Sequence, residues 1–249
     1  MARADTLTAS LVPIDRIGPS DRNAMWDLFA SYYDAVCRER FDSDLVGKSH
    51  AFLLRARADG SVQGFSTIAT FERRVQGRKV VGIFSGDTIV ARAHWSQTAL
   101  QRAFFVYVME VKLRNPRVPV YWFLISKGYK TYLLLARNFP EYWPRWERAT
   151  PAWQAAVLDD FARERFGAAW RPEQGLLKFE RCEGRLKGGV AQIDDRARRL
   201  PEVRFFEERN PGHAQGDELC CLGRVDARLG VSYTLKLARK ALGLGGRRT

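Results

Sequence analysis

The sequence predicts an α+β (mixed α/β) fold with a mixed central sheet, and three observations lead to this prediction. Asp59-Gly60 stands between two apolar runs, which predicts an antiparallel hairpin because its tight turn needs residues that tolerate positive φ. From Trp95 onwards the apolar residues repeat at helical spacing. Residues 118–125 form a continuous apolar run, which is typical of a strand buried on both faces. This order of elements implies a sheet whose central pair of strands is parallel.

In the first part of the chain we predict a leader, one helix and three strands. Residues 1–19 are expected to be a tethering leader, and a helix is predicted to begin near Ser20, after Pro19. Residues 41–48 are expected to link that helix to the strands. The strands are predicted at 50–57, 62–71 and 79–90.

The middle of the chain is predicted to alternate between helix and strand. A helix that starts near Trp95 should end at Asn115-Pro116, because the residue before a proline disfavours helical geometry. The buried strand 118–125 follows, and residues 126–139 are predicted to form the next helix.

Beyond these elements we predict a further helix, with Thr150 as N-cap, Pro151 at its first position and Gly167 as its end. Short strands and a basic amphipathic tail helix are expected after it. The predicted strands are 176–182, 189–193, 203–206 and 218–225, and the tail is 233–249. The expected organisation is therefore a leader (1–19), a core (20–149), a C-terminal elaboration or lobe (150–232) and the tail (233–249).

The charge balance indicates an anionic partner. Lys and Arg number 41 against 28 Asp and Glu, which gives a net charge of +13 and a pI of about 10.0. Such a surplus favours phosphorylated cofactors, acidic proteins, membrane surfaces or nucleic acid. The basic residues are spread over the whole chain, so we do not expect a dedicated nucleic-acid role.

Several classes of protein are excluded by what the sequence lacks. No apolar run reaches the roughly 18–20 residues that cross a bilayer, and charges flank the N-terminal apolar stretch, so no secretory signal is expected. The four Cys have neither zinc spacing nor the density of a disulfide scaffold. Walker loops, dinucleotide glycine fingerprints and nucleophile elbows are also missing. We therefore expect a cytoplasmic protein with reduced thiols and no metal site.

Three passages carry a resemblance to a known family. AFLLRARADGSVQGFSTIATFE looks like the second and third strands of the GNAT acyltransferase fold, and IFSGDTIVARAHWSQTALQRAF resembles its fourth strand, pyrophosphate loop and third helix. VPVYWFLISKGYKTYLLLARNF is similar to its fifth strand and following helix. The resemblance covers roughly residues 20–145 and implies a GNAT-like mixed sheet that transfers an acyl group from a thioester to an amine.

The resemblance implies a donor-binding loop, but this loop departs from the family pattern. The usual loop has closely spaced glycines, which let backbone N–H groups at a helix N-terminus hold the pyrophosphate of coenzyme A. The corresponding stretch, 92–99, contains no glycine. The donor-binding candidates are Arg92, Trp95, Ser96, Gln97 and Thr98. A phosphopantetheine thioester on an acyl carrier protein needs less of that loop than acyl-CoA, and an acidic carrier fits the positive charge.

The resemblance also implies that the two parallel strands part around the thioester. The implied substrate-binding residues of this cleft are Ser85, Thr88, Tyr121, Phe123 and Tyr129. Asp87 is the candidate general base, and its alternative is an Asx-type turn residue. Tyr132 is the candidate acid, with Tyr129 in competition and an ordinary core aromatic as the alternative. His94 is a third catalytic candidate, as base or phosphate ligand, or else a capping residue.

Two function hypotheses follow. The first is an acyltransferase that joins an acyl group from an acyl carrier protein or acyl-CoA to an amine acceptor, in lipid or specialised-metabolite biosynthesis. The second is a non-catalytic basic binding protein on a degenerate fold of the same kind. The tail, with Leu235 and Leu237 beside Lys236, is expected either to contact an anionic membrane or to dock on the protein's own body.

Overall fold

The computed structural model of the 249-residue chain describes residues 6–95, 97–179, 185–186 and 193–241. Its strands are β1 Leu7–Pro13, β2 Tyr33–Asp34, β3 His50–Ala56, β4 Val62–Val75, β5 Arg78–Val90, β6 Val120–Ser126, β7 Tyr142–Trp143, β8 Trp170–Arg171, β9 Leu176–Leu177, β10 Arg185–Leu186 and β11 Glu218–Val225. Its α-helices are α1 Pro19–Tyr32, α2 Arg38–Val46, α3 Ala99–Arg114, α4 Tyr129–Asn138, α5 Ala152–Phe166, α6 Asp195–Arg198, α7 Pro201–Arg209 and α8 Ala227–Ala241.

One mixed sheet dominates this part of the chain. Its strand order is β1-β3-β4-β5-β6-β11-β9-β8, with β7 paired to β11. The β5–β6 pair is parallel, and the other pairs of this order are antiparallel. The predicted mixed α/β fold with a parallel central pair is confirmed.

Two expectations for the first part of the chain are wrong. Much of the predicted leader is strand β1, which pairs with β3 from Leu7 opposite Ala56 to Pro13 opposite His50. Part of the predicted link at 41–48 belongs to helix α2, which buries Phe41 and Leu45 in a core cluster. These two residues are four apart and so share one helix face, but the acidic residues around them resemble a loop.

The C-terminal half adds strands to the same sheet. Strand β11 lies directly beside β6, from Leu219 opposite Ser126 to Val225 opposite Val120, and thus extends the core sheet. The N-cap of α5 is Pro151, one residue after the predicted Thr150.

The predicted strand at 218–225 is confirmed as β11, whereas the other three predicted short strands are not found as predicted. The prediction of a strand at 203–206 is wrong, since helix α7 spans it with Pro201 in its first turn. Its buried residues Val203 and Phe206 are three apart, as on a helix face. Of 176–182 only Leu176–Leu177 is described as strand, and most of 189–193 lies outside the described residues.

The helices cover both faces of the sheet. Along β6, Trp122 and Leu124 pack in the core cluster of α3, α4 and α7, whereas Tyr121 and Phe123 pack in the cluster of α5. Helices α1 and α2 cover β3 and β4 on the same side as α5. No helix among the described residues combines the length and apolarity needed to cross a membrane.

Candidate functional site

The two parallel strands separate halfway along β5. They pair from Val81 opposite Val120 to Ser85 opposite Leu124, and β5 then continues to Val90 without a β6 partner among the described residues. On its other side β5 meets β4 with a register shift between Ser66 and Ile68, and such a bulge increases the local twist. The result is a gap in the middle of the sheet.

A cavity of about 1190 Å³ occupies this gap and reaches both faces of the sheet. Phe104, Leu134 and Tyr233 line it on the side of α3, α4 and α8, and Arg165 and Phe166 line it on the side of α5. Ligand sites usually measure about 300–1,000 Å³, so this cavity has room for a ligand larger than a short acyl group.

Asp87 lies at the gap and lines the cavity. Burial raises the pKa of its carboxyl above the usual value of 3.8, the nearby Lys48 and Lys127 oppose this rise, and Asp44 adds to it. A carboxyl with a raised pKa is a stronger base than an ordinary one, and its access to the cavity allows it to accept a proton from a ligand.

Lys48 stands beside Asp87 and escaped sequence analysis because it belongs to the stretch that resembled a linker. Its ammonium donates a 3.1 Å hydrogen bond to the carbonyl of Asp44 and lies 5.5 Å from the centre of the Phe84 ring. Burial lowers the pKa of Lys48, and Asp87 and Asp44 partly restore it. The cavity thus holds a carboxyl and an ammonium that perturb each other.

A second polar group lines the cavity near Tyr33. Lys127 forms an ion pair of 3.4 Å with the buried Glu218, and its ammonium lies 5.8 Å from the Tyr33 ring centre. Burial raises the pKa of Tyr33, and the carboxylates of Asp87 and Glu218 raise it further. Glu218 follows Gly216-Asp217, a pair that resembles a turn, so its burial could not be predicted from the local pattern.

The donor loop uses its polar groups internally. The side-chain N–H of Gln97 donates a 2.9 Å hydrogen bond to Nδ1 of the buried His94, and its side-chain carbonyl accepts another of 2.8 Å from the backbone N–H of Leu7. The indole N–H of Trp95 donates to the carbonyl of Val90 at 2.7 Å. The guanidinium of Arg92 lies 5.8 Å from the Trp95 ring. These contacts leave little resemblance to a glycine-lined pyrophosphate loop.

The structure gathers half of the predicted site residues around one cavity. Those that line it are Ser85, Asp87, Thr88, His94, Trp95 and Gln97. Two of them are engaged within the sheet, since the hydroxyl of Ser85 accepts from the indole of Trp122 at 2.8 Å and Thr88 shares a 2.7 Å hydrogen bond with Ser66. Ser96 lies outside the described residues.

Arg92, Thr98, Tyr129 and Tyr132 lie off the cavity lining. Tyr132 is fully buried, and its hydroxyl donates to the carbonyl of Pro144 at 2.9 Å. It packs on the rings of Phe205 and Phe206. The candidate acid is therefore a core aromatic, and we do not retain that assignment.

Tyr121 and Phe123 also differ from the prediction, since neither lines the cavity. Side chains alternate along a strand, and the β6 residues that line the cavity are Trp122 and Leu124 on one face and Ile125 on the other. Tyr121 packs under α5, where its hydroxyl accepts a 3.2 Å hydrogen bond from Trp153.

The mixed sheet, its parallel central pair and the separation of that pair are the features that the sequence resemblance implied. The fold is GNAT-like. No protein-family model matches the chain, and no curated protein matches it. Similar solved structures exist, and their likeness to this chain bears on the fold alone.

Three of these structures illustrate the range. A conserved Enterococcus faecalis protein of unknown function shares 13% identity at a TM-score of 0.40, over 52% of this chain and 32% of that one. The GNAT family N-acetyltransferase YhbS of Escherichia coli, solved with CoA, shares 13% identity at a TM-score of 0.36. The match covers 55% of this chain and 74% of that one. FeeM, an N-acyl amino acid synthase from uncultured soil microbes, shares 15% identity at a TM-score of 0.39. The match covers 56% of this chain and 81% of that one. This chain thus spans about a third of the length of the Enterococcus protein.

Proposed function

We propose that this protein is an N-acyltransferase that moves an acyl group from a thioester to an amine. The observation that supports this most is the gap between β5 and β6, where Asp87 faces a cavity that reaches both sides of the sheet. Such a gap lets two substrates meet beside a proton acceptor.

In the proposed reaction the amine nitrogen attacks the thioester carbonyl carbon, so that a C–N bond forms and the C–S bond breaks. Asp87 accepts the proton that the amine loses and passes it to the departing thiolate, which leaves as a free thiol while Asp87 returns to the carboxylate. Proton and charge thus balance for a neutral amine. The backbone N–H groups of β5 beyond Ser85 are suited to polarise the thioester carbonyl, because no β6 carbonyl faces them among the described strand pairs.

The proposed acyl group is longer than acetyl. On the side of α3 and α4 apolar and aromatic side chains line most of the cavity, beside the polar Gln101, Lys130, Thr131 and Asn138. The apolar and aromatic residues are Leu100, Phe104, Phe105, Val108, Trp122, Leu124, Leu134 and Phe139. Burying each methylene of a chain there contributes about 0.8 kcal/mol, so we expect affinity to increase with chain length.

The proposed donor is the phosphopantetheine thioester of an acidic carrier protein. Two features support it: the polar groups of Gln97 and Trp95 are already used inside the protein, and the net charge is +13. Acyl-CoA is the alternative donor. Attraction between oppositely charged surfaces accelerates the encounter with a carrier, and salt weakens this attraction.

Thermal melting with a series of ligands tests the proposal. Coenzyme A, short and long acyl-CoA, and carrier protein loaded with the same chains are compared. A ligand at a hundred times its Kd stabilises by about 2.7 kcal/mol, a shift of a few degrees. A shift that increases with chain length supports the proposal, whereas no shift with any thioester would favour the non-catalytic binding protein.

Catalysis is tested separately by thioester-dependent release of free thiol. Asp87→Asn should reduce the rate by about 10²- to 10⁴-fold while the protein remains folded. Full activity of this variant would remove Asp87 from the mechanism. A high 260/280 absorbance ratio in the purified protein, together with salt-sensitive binding, would instead indicate a nucleic-acid binder.

A further inference from the structure

One guanidinium on the cavity wall contacts aromatic rings but no hydrogen-bond acceptor of the described residues. Arg165, on α5, is only partly exposed, and among the described residues it forms neither a hydrogen bond nor an ion pair. Its Cζ lies 4.4 Å from the ring centre of Phe84 and 5.2 Å from that of Phe71. Since the N–H donors of arginine lie in the guanidinium plane, packing on ring faces leaves all five unused.

A second cation lies against the same ring. The ammonium of Lys48 is 5.5 Å from the centre of Phe84, and Arg165 and Lys48 repel each other enough to contribute to the lowered pKa of Lys48. Burial also lowers the pKa of Arg165. Asp87 and Asp44 partly compensate the ammonium of Lys48, whereas within the described part of the chain only Glu164 acts on the guanidinium of Arg165. A further anion would stabilise these two like charges, which are partly removed from water.

We propose that Arg165 and Lys48 form an anion-binding subsite that takes the carboxylate of the acceptor, so that the acceptor amine is an amino acid. This inference rests on the proposed acyl transfer and names its second substrate class. A guanidinium binds a carboxylate through two parallel hydrogen bonds, and the neighbouring ammonium adds a third donor. The ammonium of Lys48 and the carboxyl of Asp87 are close enough to perturb each other, so an amino acid held by Lys48 has its amine close to the proposed base.

The position of the subsite favours the acceptor over the donor's phosphate groups. Phe84 packs in the core cluster of α5, on the opposite face from the apolar lining proposed for the acyl chain. The donor loop begins after Val90, which is ~20 Å further along β5 at about 3.3 Å per residue. A phosphate held near His94 therefore does not reach Arg165.

Binding of two product analogues tests the subsite. N-dodecanoylglycine carries the acyl chain, the amide and a carboxylate, and N-methyldodecanamide lacks only the carboxylate. Calorimetric titration below their micelle concentrations should give a Kd for N-dodecanoylglycine about 10- to 100-fold lower, because a hydrogen bond to a charged group contributes about 1.5–3 kcal/mol. Arg165→Gln and Lys48→Gln should each remove most of this difference.

A matched control is present on the same helix. Arg163 is exposed and paired with Asp159 at 3.0 Å, so Arg163→Gln removes one positive charge from α5 without touching the cavity. Its Kd for N-dodecanoylglycine should equal that of the wild type. If Arg163→Gln weakens binding as much as Arg165→Gln does, general electrostatic attraction explains the preference and the subsite is disproved.

The remaining outcomes separate the subsite from the proposed reaction. Equal affinity for the two analogues overturns the carboxylate subsite but leaves acyl transfer intact. If neither analogue binds, the cavity does not hold an acyl amide, and both proposals fail. If Arg165→Gln weakens the binding of coenzyme A but leaves that of N-dodecanoylglycine unchanged, the anion is the donor's phosphate and the amino acid assignment is wrong.

Discussion

The indole N–H of Trp122 donates a 2.8 Å hydrogen bond to the hydroxyl of Ser85. Ser85 is the last β5 residue that pairs with β6, opposite Leu124. The bond therefore joins the two parallel strands at the point where they separate, and it fixes one wall of the cavity.

Removal of this hydroxyl should destabilise the protein. Trp122 is only 4% exposed, so Ser85→Ala leaves a buried N–H without its partner, which costs about 1–3 kcal/mol. Urea unfolding measures the loss. Ser10→Ala, at an exposed position of β1, is the control and should change the free energy of unfolding by less than about 0.5 kcal/mol. Equal stability of the two variants would show that the Trp122 bond contributes nothing.

The raised pKa of Asp87 predicts a specific pH dependence of stability. The folded protein holds this proton more tightly than the unfolded chain, so the stabilising contribution is present below the usual value of 3.8. It is lost as the pH rises from there through the raised folded pKa. Asp87→Asn removes this decline, which denaturant unfolding at a series of pH values measures. The same pKa requires that kcat/KM increase with pH over this window, because the base acts when deprotonated.

Asp59→Asn provides the control for this experiment. Hydrogen bonds from Ser61 lower the pKa of the exposed Asp59 carboxyl, so its contribution to stability is lost below 3.8 and not above it. The variant should retain the wild-type decline at higher pH. If the stability of Asp87→Asn still declines as the pH rises above 3.8, another titrating group causes the decline.

Gly86 is required at the gap because there is no space for a side chain. A Cβ there would lie 2.5 Å from the hydroxyl of Thr67, which is buried, and 2.8 Å from Cε of Lys48. We expect Gly86→Ala to lower the free energy of unfolding by about 1–3 kcal/mol through overpacking. Gly18→Ala is the control, since nothing lies within 4 Å of a Cβ at that position. Equal melting temperatures for both variants would contradict the predicted clash.

The described part of the tail helix docks on the protein body through Tyr233. Its ring stacks on Phe105 with centres 3.6 Å apart and planes 12° apart, and both rings line the cavity. Tyr233→Ala should lower the melting temperature. It should also weaken the binding of long acyl thioesters more than that of short ones, because it opens the apolar end of the cavity. Leu235→Ala, 53% exposed on the same helix, should do neither. Membrane contact by the tail stays a prediction, and co-sedimentation with anionic vesicles measures it.

The sequence predicted those features that depend on local chemistry. Asp59-Gly60 marks a turn wherever it occurs between apolar runs, and the position of Asp87 follows from the strand that contains it. The residues of β6 that line the cavity were predicted incorrectly. A continuous apolar run has no alternation of polar and apolar residues to show that Trp122 rather than Tyr121 meets the cavity. Lys48 and Arg165 were missed for another reason: their burial arises from packing between distant segments, and isolated cations in a sequence resemble surface residues.

The cavity that joins the two faces of the sheet has a kinetic consequence. An acyl donor on the side of α3 and an amine on the side of α5 do not have to pass each other, so both can be bound before any bond changes. The expected mechanism is therefore sequential, through a ternary complex. Double-reciprocal plots at several donor concentrations should intersect, whereas parallel lines would mean that the donor's thiol leaves before the amine arrives.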